Sequence, residues 1–204
     1  MRGGAVHTGS LYSVSGQRKY LTQDERARFI AAAERCPRAN VRTLCLTLAW
    51  TGCRISEALA LTVSSIEPEG GFVAIRCLKK RSGLVVVREV PVPQTLLSEI
   101  DAVHRLDGLQ RDARLWPFSR CRAWQLVKAV MDEANVPHGL HATPKGLRHG
   151  FGLHAIRSGV PINLVQRWLG HARMETTAIY LQAMGSEERA IAERMWNCNA
   201  RHQT

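Results

Sequence analysis

What most constrains this chain is the punctuation of its last third, KGLRHGFGLHAIRSGVPINLVQRWLGHARMETTAIY, running from Lys145 to Tyr180. Thr143 followed by Pro144 is an N-cap and first-turn pair, so a helix starts there. Gly159 stops it, and Pro161 begins a second helix with Ile162, Val165 and Trp168 facing inwards. Gly170 ends that one and leaves His171 at an exposed break. The spacing then predicts a further helix over Met174–Met184, bearing Tyr180. Lys145, Arg148 and His149 stand at i, i+3 and i+4, near one face and near the positive helix N-terminus. Three cations gathered there repel one another unless an anion sits between them. The chain has only three tyrosines, and Tyr12 and Tyr20 belong to a polar lead. Tyr180 therefore reads as a nucleophile for an anionic substrate.

The charge balance names the class of anion. A net charge of +11 and a pI of about 10.1, with no acidic segment in compensation, favour polyanions, nucleic acid before an anionic membrane. The 204 residues are 45% apolar, enough for a core. No apolar run of membrane-spanning length and no apolar signal core occur, so a soluble cytoplasmic protein is expected, with no membrane partner. The six cysteines (36, 45, 53, 77, 121 and 198) form no C-x-x-C pair and read as reduced structural thiols. His138, His141 and His149 are the nearest thing to a metal cluster, but neither cysteine nor carboxylate accompanies them, and no metal site is expected.

Residues 1–20 carry Gly, Ser and basic side chains without periodicity and read as a flexible basic lead. Thr22 and Glu25 have capping-box spacing, opening a helix to about Cys36 that Pro37 ends. Val41, Leu44, Cys45, Leu48 and Ala49 follow helical spacing up to Gly52. In TGCRISEALALTVSSI, Arg54 opens a short helix whose Ile55, Ala58 and Leu59 face a core. Arg54 is either a solvated arginine or an anion ligand on a rigid element, with Glu57 close enough to orient it. FVAIRCL and LVVVREVPVP are β-prone runs joined by the basic turn KKRSG. Its lysines fit a finger entering a groove, or solubility and protection of a sheet edge. Helical spacing returns at Leu96, Ile100 and Val103. Ser119 then caps a helix whose Trp124, Val127, Met131 and Ala134 read as core positions. A final amphipathic piece, SEERAIAERMW, could dock on its own domain or a neighbour.

In order and spacing, these segments resemble the catalytic domain of the tyrosine recombinases, the phage-integrase family. TGCRISEAL is similar to the first arginine box, LKKRSG to the hairpin that carries a lysine, and KGLRH to the H-x-L-R-H box. LGH places His171 23 residues after Arg148, and Tyr180 follows nine later. The resemblance spans about residues 20–185. It implies an α+β fold, mainly helical, with a small antiparallel hairpin: a catalytic domain over 21–184 and a C-terminal helix or tail over 185–204 that docks on a neighbouring protomer.

The resemblance further implies a site-specific DNA recombinase that cleaves through a 3′-phosphotyrosyl link, without metal, ATP or other cofactor. Its partner is double-stranded DNA, held by a synaptic homotetramer, with room for a partner recombinase. Arg54 and Arg148 would clamp the phosphate, with Glu57 steadying Arg54. Tyr180 would attack, its pKa lowered by the cations. Lys79, with Lys80 as the alternative, would protonate the leaving 5′-oxygen, and His171 would hold the phosphate. His149 supports the site, and Lys80, Arg81 and Arg173 contact DNA. There are two departures. Lys145 stands where the family usually has histidine, and is expected to serve as a third phosphate cation, or as a base once deprotonated. Only about 20 residues precede the catalytic part, as in the short fimbrial-switch invertases. Competing readings are a catalytically impaired DNA-binding accessory protein on the same fold and a type IB topoisomerase-like relaxer.

Overall fold

The computed structural model describes residues 10–77 and 86–181. Its first helix, α1 (Gln23–Arg35), begins on the expected capping box: Glu25 N donates to Thr22 Oγ1, and Thr22 N donates to the Glu25 carboxylate. Next, α2 (Ala39–Thr51) is apolar nearly all round, with Val41, Leu44, Cys45 and Leu48 buried. It is the central helix, packed on α1 and, further along the chain, on the later helices described below. Gly52 closes it at φ 60°, the left-handed conformation that favours glycine at a helix C-terminus. Then α3 (Ile55–Ala58) gives a single turn with Arg54 at its N-cap.

Strands β1 (Ile66–Glu67), β2 (Phe72–Arg76) and β3 (Val87–Pro91) form one antiparallel sheet in the order β1-β2-β3, with Val73 opposite Val90 and Ile75 opposite Arg88. Alternation along the strands buries Val73, Ile75 and Val90 on one face. Helices α4 (Gln94–His104) and α5 (Arg120–Glu133) complete the main core around Leu97, Ile100, Val127 and Met131, all fully buried. Trp116 lies inside it and donates from Nε1 to Thr43 Oγ1 at 3.0 Å.

The last third folds as α6 (Pro144–Arg157), α7 (Ile162–Leu169) and α8 (Glu175–Ala178). Helix α6 is a partition. Leu147 belongs to the main core, whereas Phe151, Leu153 and Ile156 join Val165, Leu169 and Tyr180 in a second cluster. Buried on both sides, α6 carries glycine where neighbours press closest: a Cβ on Gly146 would lie 1.8 Å from the His141 carbonyl oxygen.

Three expectations need correction. Residues 10–20 are packed: Leu11 is buried in the second cluster, Tyr12 and Arg18 form a β-bridge, and Arg18 pairs with Glu25. A buried apolar side chain, an ion pair and several backbone hydrogen bonds fasten a segment that lacks periodicity. Trp124 is 45% exposed: α5 buries Ala123, Leu126, Val127 and Val130, and Trp124 lies at the edge of that face, beside the cavity described below. Finally, α8 has only four residues, and Tyr180 lies past its end. The part of the expected helix beyond Leu181, like SEERAIAERMW, lies outside the described residues. None of the described helices is long and apolar enough to cross a membrane.

Candidate active site

Two helix C-termini set the position of Arg148. Its Nη1 donates to the Gly52 carbonyl at 2.8 Å, just past α2, and its Nη2 to the Leu169 carbonyl at 2.6 Å, the last residue of α7. Both carbonyls lie at the negative ends of helices and would otherwise be orphaned. Arg148 is buried, and burial, then the neighbouring Arg54, pull its pKa down to about 10. It thus stays protonated at neutral pH without a carboxylate of its own.

Glu57 organises the other cations. Its Oε2 accepts from Arg88 Nη2 at 2.7 Å and from the Arg54 amide at 2.8 Å, and its Oε1 accepts from Arg54 Nη1 at 2.8 Å. Burial opposes its ionisation, but the hydrogen bond and charge of Arg88, with the amide and charge of Arg54, prevail and hold the carboxyl below its ordinary range. Arg88 was not singled out in the sequence. It is buried on β3, donating from Nε to the Trp168 carbonyl at 2.7 Å and from Nη1 to Cys77 Sγ at 3.1 Å. The signal was there: period-two alternation puts Arg88 on the face of Val90, and a charge on a core face demands a partner.

Tyr180 is fully buried. Its hydroxyl lies 3.0 Å from His149 Nδ1, and its ring is nearly parallel to that of His171, centroids 6.4 Å apart. Gly152 makes the slot, since a Cβ there would approach Tyr180 Cζ to 2.6 Å. His171 Nδ1 in turn lies 2.9 Å from Thr177 Oγ1, which fixes its ring. The cations were expected to lower the tyrosine pKa. Burial outweighs Arg148 and Arg54, and the hydroxyl is pushed up to about 12. Nor is His149 a third cation, since burial, then Lys145 and Arg148, push it down to about 4. His171 falls to about 3 through burial and the charges of Arg148 and Arg54. Both imidazoles are therefore neutral at pH 7, each with one ring nitrogen able to accept a hydrogen bond and one able to donate.

In front of the tyrosine opens a cavity of about 790 Å³ whose lining includes Lys19, Arg54, Lys145, Arg148, His149 and His171. Lys145 is exposed on its rim, Arg120 and Trp124 also line it, and among the described residues none of the lining groups is a carboxylate. Tyr180 does not line it; His149, which is bonded to its hydroxyl, and His171, which is stacked on its ring, do. A second cavity, about 900 Å³, adjoins on the side of β3 and α7. Arg54 and His171 line both, whereas Cys77 and Val86 line the second alone. Lys79, Lys80 and Arg81, expected at the hairpin tip, lie outside the described residues. Arg173 is exposed and lines neither cavity. The second histidine of the loop before α6, His141, is taken up by Arg18, 3.1 Å away.

Comparison with known proteins gives a consistent picture. The phage integrase family matches residues 19–187. The tyrosine recombinase XerA of Pyrococcus furiosus is 31% identical over 86% of this chain and 61% of its own length. The tyrosine recombinase XerD of Halalkalibacterium halodurans is 31% identical over 69% of this chain and 48% of its own. The chain thus spans about three-fifths or less of these relatives. Among solved structures, a XerA recombinase superposes with a TM-score of 0.68 at 24% identity, covering 86% of this chain and 64% of the other. The catalytic domain of bacteriophage HP1 integrase gives 0.60 at 22% identity, covering 85% and 93%. At those identities the likeness speaks for the fold, a mainly helical domain with a small antiparallel sheet.

Proposed function

The chain belongs to the phage integrase family, and from that premise we propose that it cleaves and rejoins double-stranded DNA at specific sites through a covalent link to Tyr180. The observation that carries the proposal is the grouping around one tyrosine: its hydroxyl bonded to a neutral histidine, with Arg148 and Arg54 close enough to bear on its ionisation. The names of the relatives, tyrosine recombinases at about a third identity, support it.

In the reaction, the Tyr180 oxygen attacks a DNA phosphorus, a Tyr O–P bond forms, and the P–O5′ bond breaks. The link is a 3′-phosphotyrosine, and a later 5′-hydroxyl reverses the step. Arg54 and Arg148 hold the non-bridging oxygens as charge builds, a task suited to the always-charged guanidinium fork. Glu57 orients Arg54 from below. His171 donates to the phosphate from Nε2, while Thr177 fixes its Nδ1. Lys79 protonates the departing 5′-oxygen; the flanks of its hairpin, Cys77 and Val86, lining the second cavity beside Arg54 and His171 support that assignment. Lys80, Arg81 and Arg173 supply backbone contacts that hold the duplex.

His149 takes the tyrosine proton. Its Nδ1 already faces the hydroxyl at 3.0 Å and it is neutral at working pH, whereas Lys145 is an exposed ammonium and serves as a third phosphate cation. Since Tyr180 is buried and does not line the cavity, attack requires the short segment after His171 to shift toward the cavity once DNA is bound. A synaptic homotetramer, with or without a partner recombinase, completes strand exchange. Two labelled duplexes carrying the DNA that flanks the gene should exchange strands when incubated with the protein. Relaxation of any supercoiled plasmid without pairing of sites would instead indicate a topoisomerase-like relaxer, and binding without strand exchange or relaxation an accessory protein.

A further inference from the structure

Among the cations that line the cavity in front of Tyr180, Lys19 comes from outside the motifs that define the family resemblance. It is carried by the segment ahead of α1, which is tied down at several points. Lys19 N donates to the Leu11 carbonyl at 2.8 Å, closing the small turn in which Tyr12 and Arg18 pair. Two residues on, Leu21 N donates to the carbonyl of Gly146 at 3.1 Å, in the first turn of α6. Leu11 is buried in the cluster that holds Tyr180. Arg18 and Lys19 leave this segment in different directions. Arg18 is consumed by Glu25 and His141, whereas Lys19 reaches the cavity rim shared by Lys145 and His149. Among the described residues Lys19 makes no ion pair, and its ammonium has only the Ser10 carbonyl at 3.5 Å. A lysine held this way, beside other cations and without a counter-charge, fits an anion supplied from outside.

We infer that Lys19 binds a backbone phosphate of the cleaved DNA strand, next to the phosphate that Arg54 and Arg148 would hold. This rests on the strand-transfer reading above. The outer position follows from the surroundings: Lys19 lines the cavity together with the exposed Lys145, whereas Arg148 is buried behind them. The N-terminal segment is thereby a working part of the site: it brings a phosphate contact to the mouth of the cavity while its Leu11 packs in the cluster behind it.

The test uses the full chain, a labelled duplex of arbitrary sequence, and a nicked suicide duplex of the DNA flanking the gene. Binding of the arbitrary duplex is measured against salt for the wild type, Lys19→Met, Lys19→Arg and, as a remote exposed control at the far end of α1, Arg35→Ala. Loss of one phosphate contact should lower the slope of log K against log salt by about 1 in Lys19→Met. Lys19→Arg should keep the slope, and so should Arg35→Ala. On the suicide duplex, formation of the covalent adduct should slow about tenfold to a hundredfold in Lys19→Met and recover in Lys19→Arg. An unchanged slope in Lys19→Met overturns the inference, as does a lowered Tm with no rescue by arginine, which would make Lys19 structural. If the wild type forms no adduct yet the slope still falls, the strand-transfer reading fails while the phosphate contact stands.

Discussion

Removing the imidazole beside Tyr180 tests the catalytic assignment that departs most from the family pattern. With its pKa pushed up to about 12 by burial, Tyr180 lies five decades above neutral pH. At 1.36 kcal/mol per decade, forming the phenolate before attack would cost roughly 7 kcal/mol, against roughly 4 for an ordinary tyrosine near 10. With a pKa of about 4 the imidazole does not deprotonate the resting hydroxyl. As the O–P bond forms, however, the tyrosine oxygen becomes far more acidic, and a base that takes the proton then avoids most of that cost. A positioned general base typically contributes ~10²–10⁴ in rate. His149 is neutral down to about pH 4 and its Nδ1 is already hydrogen-bonded to the hydroxyl. In His149→Ala, single-turnover cleavage at pH 7 should therefore fall by about 10²–10⁴. Its rate should then climb roughly tenfold per pH unit, as hydroxide takes over from the lost base. The wild type should be nearly flat from pH 6 to 8. Lys145→Ala should cleave more slowly yet keep the flat profile. The reasoning is refuted if His149→Ala retains the wild-type rate and profile, or if it is Lys145→Ala that acquires the steep dependence on pH.

The remaining predictions concern the scaffold of the site. Arg148→Lys keeps a charge but cannot satisfy both the Gly52 and Leu169 carbonyls. Cleavage should drop ~10²–10³ and unfolding should occur ~1–3 kcal/mol more easily in urea. Glu57→Gln leaves the buried Arg88 without a full counter-charge and should destabilise by about 3–5 kcal/mol in the same assay. Gly152→Ala should force the ring of Tyr180 from its slot. Spectrophotometric titration, with Tyr180→Phe in the same background identifying the signal, should show the Tyr180 pKa falling from about 12 toward 10. An unmoved titration would contradict the slot. Acid should also destabilise the fold through His149 and His171. Their folded pKa values, about 4 and about 3, lie below the unfolded value near 6.5, so the unfolded chain binds more protons between them. Their contribution is complete above about pH 6.5 and is lost as pH falls through that window; urea midpoints from pH 7 to 4 should show it.

Much of this was legible in the residues because local chemistry dictated it. The capping box at Thr22, the left-handed Gly52 and Gly170, and the Thr143-Pro144 start each fix a helix boundary through backbone needs that no distant contact overrides. Arg54 and Glu57 sit one helical turn apart, so their pairing also follows from spacing. What escaped depended on tertiary placement. Arg88 matters because its strand turns it inwards onto Glu57 and the end of α7, a destination that alternation suggests but does not name. Leu11 fastens a segment with no pattern of its own, and Trp124 is apolar yet faces outwards beside the site. Burial lies behind both failed charge expectations: at Tyr180 it outweighs Arg148 and Arg54, and at His149 it adds to the repulsion of Lys145 and Arg148, and burial is a property of packing.

The central claim is that Tyr180 becomes covalently joined to DNA. Incubating the protein with a nicked suicide duplex from the flanking DNA, stopping with SDS, and mapping the modified peptide by mass spectrometry tests it directly. The account predicts an SDS-stable adduct whose nucleotide is linked to Tyr180, and none in Tyr180→Phe. An adduct that persists in Tyr180→Phe, or one mapped to another side chain, would contradict it.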